Sequence, residues 1–110
     1  MAIAETDLAR IKRWADGKVP AHVRDKLWIE VDVSGHAVTV LECRPADSFL
    51  PAGERSPVAR LRYVAVRREW ELFWRDSNER FRRYDPTPPA RQGATLLDAI
   101  DRDEYALFWG

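Results

Sequence analysis

One stretch of the chain is apolar at every second position. It begins with Ile29-Glu-Val-Asp-Val33, and the alternation continues at Val38 and Val40. A period of two predicts β-strands with one buried face, so the fold is expected to contain antiparallel sheet. The pair Ser34-Gly35 predicts a tight turn between the two halves. A two-residue turn there pairs Val31 with Val38, and both then lie on the buried face.

A second hairpin follows, in which apolar side chains alternate with arginines. A short turn at Arg68-Glu69 predicts its register. That turn sets Tyr63 opposite Trp74. On the other face it sets Arg62 opposite Arg75. A slipped register exchanges the two faces, so the choice of face depends on this turn.

Prolines divide the remaining segments. Three prolines and a glycine between Arg44 and Pro57 predict a loop without regular structure. Its apolar pair Phe49-Leu50 is expected to dock somewhere. Either Phe49 pins the loop to the core, or the loop is functional. The segment Arg80–Tyr84 predicts a fifth strand that ends at Asp85-Pro86, because proline cannot serve a central ladder.

Helical patterns lie at both ends of the chain. Thr6 is predicted as the N-cap of a first helix that Gly17 ends, and Pro20 opens a second short helix. Near the other end, Thr95 with Asp98 three residues later resembles a capping box, which predicts a C-terminal helix.

These elements together predict an α+β architecture. Two short N-terminal helices precede about five antiparallel strands in a meander, and a C-terminal helix closes the sheet. The tail Tyr105–Gly110 is too apolar to extend into water without cost. A length of 110 residues fits a single globular domain over residues 1–110. In such a sheet helices cover one face, and the other face stays wet.

The overall charge gives no sign of a polyanionic or membrane partner. Eighteen basic residues balance eighteen acidic ones, so the formal net charge is zero. No stretch reaches the roughly 18 consecutive apolar residues of a membrane span. Glu5 and Asp7 lie where a secretory signal needs basic and apolar residues, and the single Cys43 cannot form an intrachain disulfide. We therefore expect a cytoplasmic protein without a membrane partner.

Catalytic and metal-binding patterns are weak. His22, His36 and Cys43 lack the spacing of a zinc site, so no metal or other cofactor is predicted. A Cys43–His36 dyad competes with the more common role of a strand cysteine, which is inert packing. Four acidic residues near the C-terminal helix suit either acid–base chemistry or a solvated face, namely Asp98, Asp101, Asp103 and Glu104. No residue is assigned as catalytic, and the sequence favours a protein that is not an enzyme.

The arginines are distributed unevenly along the chain. Residues 60–83 have a local charge balance of +4, whereas residues 84–110 have a balance of −3. Arginine beside exposed aromatic surface suits phosphate contacts and base stacking. The candidate partner-binding residues are Arg60, Arg62, Phe73, Arg75, Arg80, Arg82 and Arg83. The alternative is that acidic residues neutralise them in cross-strand pairs, with Glu30, Asp32, Glu42 and Glu71 as the partners.

Tryptophan is the other unusual feature of the composition. The five residues are Trp14, Trp28, Trp70, Trp74 and Trp109. Large aromatic side chains support the core of a small domain, which is the structural interpretation. The functional alternative is an aromatic groove for a peptide or a base.

Several segments together resemble one family. They are Arg55–Tyr63, Trp70–Trp74, Tyr84 with Pro86, and the closing Phe108-Trp-Gly110. In combination they are similar to DUF3024, a small bacterial family of unknown function, over nearly the whole chain. The resemblance implies a bacterial, single-domain, cytoplasmic protein. It carries over no catalytic residue.

Three hypotheses of function follow. The first is a non-enzymatic binding module that presents an arginine and aromatic sheet face to an anionic partner, RNA or a nucleoprotein. The second is a protein-interaction or homodimer module that uses the tryptophan-rich and Phe108-Trp-Gly110 surfaces. The third is a small histidine-independent ribonuclease or hydrolase that uses arginine, Tyr63 or Tyr84, and a carboxylate such as Glu42.

Overall fold

The computed structural model describes residues 3–110 of the protein. The elements in chain order are α1 (Glu5–Asp16), a single 3-10 turn (Ala21–Val23), β1 (Trp28–Ser34), β2 (Ala37–Arg44), β3 (Glu54–Val64), β4 (Glu69–Arg75), β5 (Phe81–Arg83) and α2 (Gly93–Arg102). The strands form one sheet in the order β1-β2-β3-β4-β5, and every neighbouring pair is antiparallel. The predicted α+β class and five-stranded meander are confirmed.

Of the two predicted N-terminal helices, the second is not a full helix. In this region only α1 is a full helix, and the segment after Pro20 forms one 3-10 turn with hydrogen bonds to the third residue back. The side chain of Arg24 then donates to the Val19 and Asp16 carbonyls, which holds the segment against the end of α1. The first helix also begins before Thr6. Its N-cap is Ala4, which provides no side-chain cap. Gly17 ends the helix, as predicted.

The first hairpin has the predicted faces and a different register. Val31 pairs with Val40 rather than with Val38, and the turn consists of Gly35-His36. Gly35 has φ of +57°, a left-handed conformation that glycine adopts without strain, so it occupies the first central turn position. The difference from the prediction is two residues. An even shift keeps every side chain on its predicted face.

The second hairpin differs from its prediction by four residues. Tyr63 pairs with Trp70 rather than with Trp74, and Arg62 pairs with Glu71 rather than with Arg75. The turn spans residues 65–68, so it is longer than the predicted one. This shift is also even, and the arginines therefore stay on the face opposite the apolar residues.

The predicted loop between the hairpins is too long. Strand β3 already begins at Glu54, and Pro57 lies inside this central strand. The β2–β3 register shifts between Val40 and Leu41, directly beside Pro57. Such a bulge accommodates a residue that has no N–H to donate. The predicted docking of Phe49 is wrong, since this side chain is 90% exposed.

The core lies between the helices and one face of the sheet. Both helices pack there, and they also contact each other. Trp14 of α1 donates its Nε1 hydrogen to the Asp101 carboxylate of α2 at 3.1 Å. The fully buried side chains include Val38, Val40, Leu61, Trp70, Leu72, Leu96 and Ile100. Within the described chain, neither helix is long and apolar enough to cross a membrane.

The C-terminal helix starts earlier than predicted. Its N-cap is Gln92, and neither Thr95 nor Asp98 forms the predicted capping box. The start is set by a long-range contact, because Ala90 forms a β-bridge with Trp70 immediately before the helix. The tail after the helix folds back, as expected from its composition. The Asp103 carboxylate accepts hydrogen bonds from the backbone N–H groups of the last two aromatic residues.

Candidate functional site

One face of the sheet carries the candidate site. The two helices cover the other face, and no helix of residues 3–110 covers this one, which we call the open face. Alternation along the strands and the observed register decide which side chains point to it. From β3, β4 and β5 these include Arg55, Arg60, Arg62, Val64, Glu69, Glu71, Phe73, Arg75, Phe81 and Arg83.

A cross-strand row of three side chains lies at the centre of the open face. Arg60 of β3 pairs with Phe73 of β4, which pairs with Arg83 of β5. Phe73 is partly exposed between the two arginines. The row therefore places an aromatic residue between two arginines on neighbouring strands.

Arg60 is held in position by neutral groups. Its Nε donates to the Thr39 hydroxyl at 3.1 Å, and its guanidinium carbon lies 4.1 Å from the centre of the Phe81 ring. Among the described residues, no carboxylate forms an ion pair with Arg60. A guanidinium fixed in this way keeps its remaining N–H groups and its full charge for a ligand.

Arg62 is the most available cation of the face. The side chain is exposed, and within residues 3–110 it forms neither an ion pair nor a hydrogen bond. Its cross-strand neighbour Glu71 binds other arginines instead, Arg83 at 3.0 Å and Arg67 at 3.4 Å. The charge of Arg62 is therefore not neutralised by the carboxylate directly opposite.

The predicted neutralising ladder is present only in part. Glu71 is 7% exposed and pairs with Arg83, and Glu30 of β1 pairs with Arg55 at 2.9 Å. No carboxylate of the described chain takes Arg60 or Arg62 as a partner. The charge of the face is thus graded: acidic groups lie on β1, and unpaired arginines lie on β3.

Ionised carboxylates mark the acidic side of this gradient. A hydrogen bond from the Trp28 indole lowers the pKa of Glu30 below its usual value of 4.5, and the Arg55 guanidinium lowers it further. On the same side, burial raises the pKa of the Cys43 thiol, which keeps it protonated and unreactive.

Two of the predicted site residues lie elsewhere. Arg82 points to the helix-covered side, since it pairs with Trp74, and it binds the Asp76 carboxylate. Arg80 lies in the turn before β5. Arg75 is on the open face, where it forms a 3.5 Å ion pair with the exposed Glu79. The open face therefore gathers five of the seven candidates, namely Arg60, Arg62, Phe73, Arg75 and Arg83.

Sequence reasoning missed Phe81 and Thr39. Phe81 supports Arg60 from β5, and Thr39 supports it from β2. The alternation within the predicted fifth strand was a usable signal for Phe81, because it places this residue on the same face as Arg83 and opposite to Arg82. Thr39 depends on the register of two hairpins, which the pattern alone does not determine.

Comparison with known proteins identifies the family of this chain. A family model described as Domain of unknown function (DUF3024) matches residues 1–110. The chain belongs to this family. No curated protein and no solved structure matches it. The resemblance found in the sequence is thereby confirmed, and the family description assigns no activity to this DUF3024 protein.

The hydrolase constellation is not assembled in the DUF3024 protein. Arg62 is on the open face, whereas Tyr63 and Glu42 point to the helix-covered side. Tyr84 is buried, and its ring lies 4.9 Å from that of Phe108. A shared substrate cannot reach groups on opposite faces of one sheet.

The remaining nucleophile and ligand candidates are also separated. His36 is in the turn before β2 and contacts Tyr63, whereas Cys43 lies near the far end of β2 and is fully buried. The Cys43–His36 dyad is therefore not formed, and Cys43 packs in the interior, the alternative given above. In the described part of the chain, no cluster of three His, Cys, Asp or Glu side chains could hold a metal ion.

Among residues 3–110 of the DUF3024 protein, open clefts lie beside α1 and at the start of β1. One of about 380 Å³ lies between α1 and β1, with Lys12, Arg24, Asp16 and Glu30 among its lining residues. The second, of about 190 Å³, is lined by Val19, Leu27, Ile29 and Trp109, with Lys18 and Glu42 at its rim. Trp109 is half-buried and donates Nε1 to the Ile100 carbonyl at 3.1 Å, so its ring is a fixed wall.

Proposed function

We propose that this DUF3024 protein is a non-enzymatic binding module whose open face binds single-stranded RNA, free or within a nucleoprotein, in the bacterial cytoplasm. The observation that carries the proposal is the row Arg60–Phe73–Arg83, in which Arg60 has full charge and a fixed position. A partly exposed aromatic residue flanked by arginines combines base stacking with phosphate binding.

The two unpaired arginines supply the electrostatic part of the site. Arg60 and Arg62 lie two residues apart on β3, so both point to the open face about 7 Å from each other. Each can form two parallel hydrogen bonds to a phosphate group. Arg83 and Arg75 already have carboxylate partners, so we assign them a weaker contribution.

The shape of the site favours single strands over duplexes. Three neighbouring strands span roughly 10 Å, which is room for two or three splayed bases. Phe73 then stacks on a base, while the arginines hold the adjoining phosphates. The major groove of duplex RNA is too deep and narrow for the side chains of this sheet face to reach the bases.

The test is a titration of a fluorescein-labelled single-stranded RNA of about 12 nucleotides, followed by fluorescence anisotropy. With two phosphate contacts, log K against log salt between about 50 and 200 mM should have a slope near −1.4. The Arg62→Ala variant should bind more weakly, with a slope that is smaller in magnitude by about 0.7. A duplex RNA of the same length should bind less well.

The matched control is Arg102→Ala. Arg102 is also exposed, but it lies on α2, on the side away from the open face. This variant should bind RNA as the unmodified protein does. Absence of binding at low salt contradicts the proposal, and so does an Arg62→Ala variant with unchanged affinity.

A further inference from the structure

The loop of residues 45–53 presents a single aromatic side chain to solvent. Phe49 is 90% exposed, although the backbone around it is ordered by hydrogen bonds. The Asp47 carboxylate accepts from the N–H groups of Phe49 at 2.8 Å and Leu50 at 2.7 Å. The Gly53 N–H donates to the Leu50 carbonyl at 2.9 Å. These hydrogen bonds therefore fix the loop in a conformation that holds the Phe49 ring out in the solvent.

The smaller cleft on the helix side matches this ring in size and chemistry. Its volume is about 190 Å³, and its walls are Val19, Leu27, Ile29 and the indole of Trp109. An apolar cavity of about 150 Å³ is large enough to hold benzene. The Lys18 ammonium lies 5.3 Å from the centre of the Trp109 ring, so a phenyl ring packs against the edge of the indole rather than on that face.

The rim of this cleft is electrically neutral. Lys18 is paired with Asp101 at 2.6 Å, and Glu42 is paired with Arg44 at 3.1 Å. Since both rim charges are satisfied within the chain, the cleft does not require a charged ligand. An uncharged aromatic group fits it better than an anion does.

The ring and the cleft lie at the same end of the molecule. Glu42 lines the cleft, strand β2 ends two residues later at Arg44, and the loop with Phe49 begins there. A projection and a matching recess at one end are self-complementary under a two-fold axis, since each copy can then insert its ring into the other.

We propose that the protein forms a two-fold symmetric dimer in which Phe49 of each copy occupies the Trp109 cleft of the other. This assignment is independent of the RNA-binding proposal, because the cleft is on the helix side of the sheet. It also gives the exposed Phe49 a partner that the monomer lacks.

The size of the end face determines how strongly the two copies are expected to associate. The molecule measures 47 × 29 × 24 Å. The 11 residues of β3 span roughly 36 Å, more than either short dimension, so we infer that this strand runs mainly along the long one. An end face of 29 × 24 Å offers roughly 500 Å² per copy, so the dimer buries roughly 1,000 Å² in total. That area is at the lower end for specific interfaces, and we expect a dissociation constant in the micromolar range.

The primary experiment is sedimentation velocity over protein concentrations from about 1 µM to about 500 µM. The unmodified chain should shift from a monomer of 12.8 kDa to a dimer within this range. The Phe49→Ala variant should raise the dissociation constant at least tenfold. The matched control is Val66→Ala, because Val66 is 92% exposed in the β3–β4 turn at the opposite end, and this variant should dimerise normally.

The recess is tested separately by methyl NMR spectroscopy. The methyl resonances of Val19, Leu27 and Ile29 should shift on dilution of the unmodified protein. In Phe49→Ala the same shifts should appear only at concentrations at least tenfold higher than in the unmodified protein. Phe49 is exposed, so this variant keeps its fold, and circular dichroism verifies that. A protein that stays monomeric at 500 µM overturns the proposal, as does a dimer that Phe49→Ala leaves unchanged.

Discussion

The guanidinium carbon of Arg60 lies 4.1 Å from the centre of the Phe81 ring, two strands away across the open face. Because Thr39 binds the same guanidinium from the opposite side, β2, β3 and β5 share one side-chain contact. Arg60 therefore has little rotamer freedom to lose when it binds a phosphate.

Phe81→Leu is expected to weaken RNA binding by about three- to tenfold, because it removes the ring that holds Arg60 and a cation–π contact of roughly 1 kcal/mol. Phe81→Tyr keeps the ring and should bind normally. Anisotropy titrations of both variants measure the effect. Equal affinities of the leucine variant and the unmodified protein would show that Arg60 does not need this support.

Glu71→Gln is expected to change stability and RNA affinity in opposite directions. The nearly buried carboxylate accepts from Arg83 and Arg67, so its loss should lower the free energy of unfolding by about 1–2 kcal/mol. The same change removes the carboxylate partner of Arg83, whereas Arg67 keeps Glu69 at 3.7 Å, and RNA affinity should rise. Urea denaturation and anisotropy measure the two effects. A fall in both quantities would mean that Glu71 positions the arginines rather than neutralising them.

Asp101→Asn is expected to loosen the contact between the two helices. The carboxylate accepts from the Trp14 indole at 3.1 Å and from Lys18 at 2.6 Å, and both partners are on the α1 side. Because these groups are partly exposed, the loss should be about 0.5–1.5 kcal/mol. The control is Asp98→Asn, an exposed aspartate of the same helix. Thermal unfolding compares the two, and equal melting temperatures would contradict the expectation.

Acid should destabilise the protein partly through Glu30. The Trp28 indole, followed by Arg55, lowers the pKa of this carboxyl below 4.5 in the folded state. A lowered pKa contributes stability above the unfolded value, and this contribution is lost as the pH falls through the folded value. Trp28→Phe removes the indole hydrogen bond, which is the larger of the two causes of the lowered pKa. The stability difference between the two proteins, measured in urea from about pH 7 to pH 3, should shrink on acidification, and a constant difference would refute this assignment.

Gly53→Ala should be more destabilising than Gly35→Ala. Both glycines have positive φ, +72° and +57°, so an alanine is strained at either position. At Gly53 the added Cβ would also lie 2.8 Å from the Arg44 carbonyl oxygen, whereas at Gly35 it meets open space. We expect losses of about 2–3 and about 1 kcal/mol. Urea denaturation of both variants is the measurement, and equal losses would mean that the loop moves to relieve the contact.

Alternation predicted the faces of the sheet better than its register. Val31 has a different partner from the one predicted, and so does Tyr63, yet both lie on the predicted side. The reason is that burial constrains a strand to steps of two residues, whereas the pairing depends on turn conformation. Arg82 is a similar case. Alternation separates it from Arg83, but only its observed pairing with Trp74 shows that Arg82 is the one that points away from the candidate site.

Long-range contacts explain the other differences. The start of α2 depends on the bridge between Trp70 and Ala90, which are twenty residues apart in the sequence. The exposed position of Phe49 depends on hydrogen bonds within its loop and contradicts the general rule that apolar residues seek the core. Neither contact has a local sequence signal, so only the folded chain reveals it.

The meander order has a kinetic consequence. Each strand pairs with its neighbour in the chain, so the sheet closes through short loops at little entropic cost. The contact between Trp14 and Asp101 instead joins residues 87 positions apart. We expect the sheet to fold first and the helices to dock last. In stopped-flow experiments Asp101→Asn should then accelerate unfolding and leave the folding rate nearly unchanged.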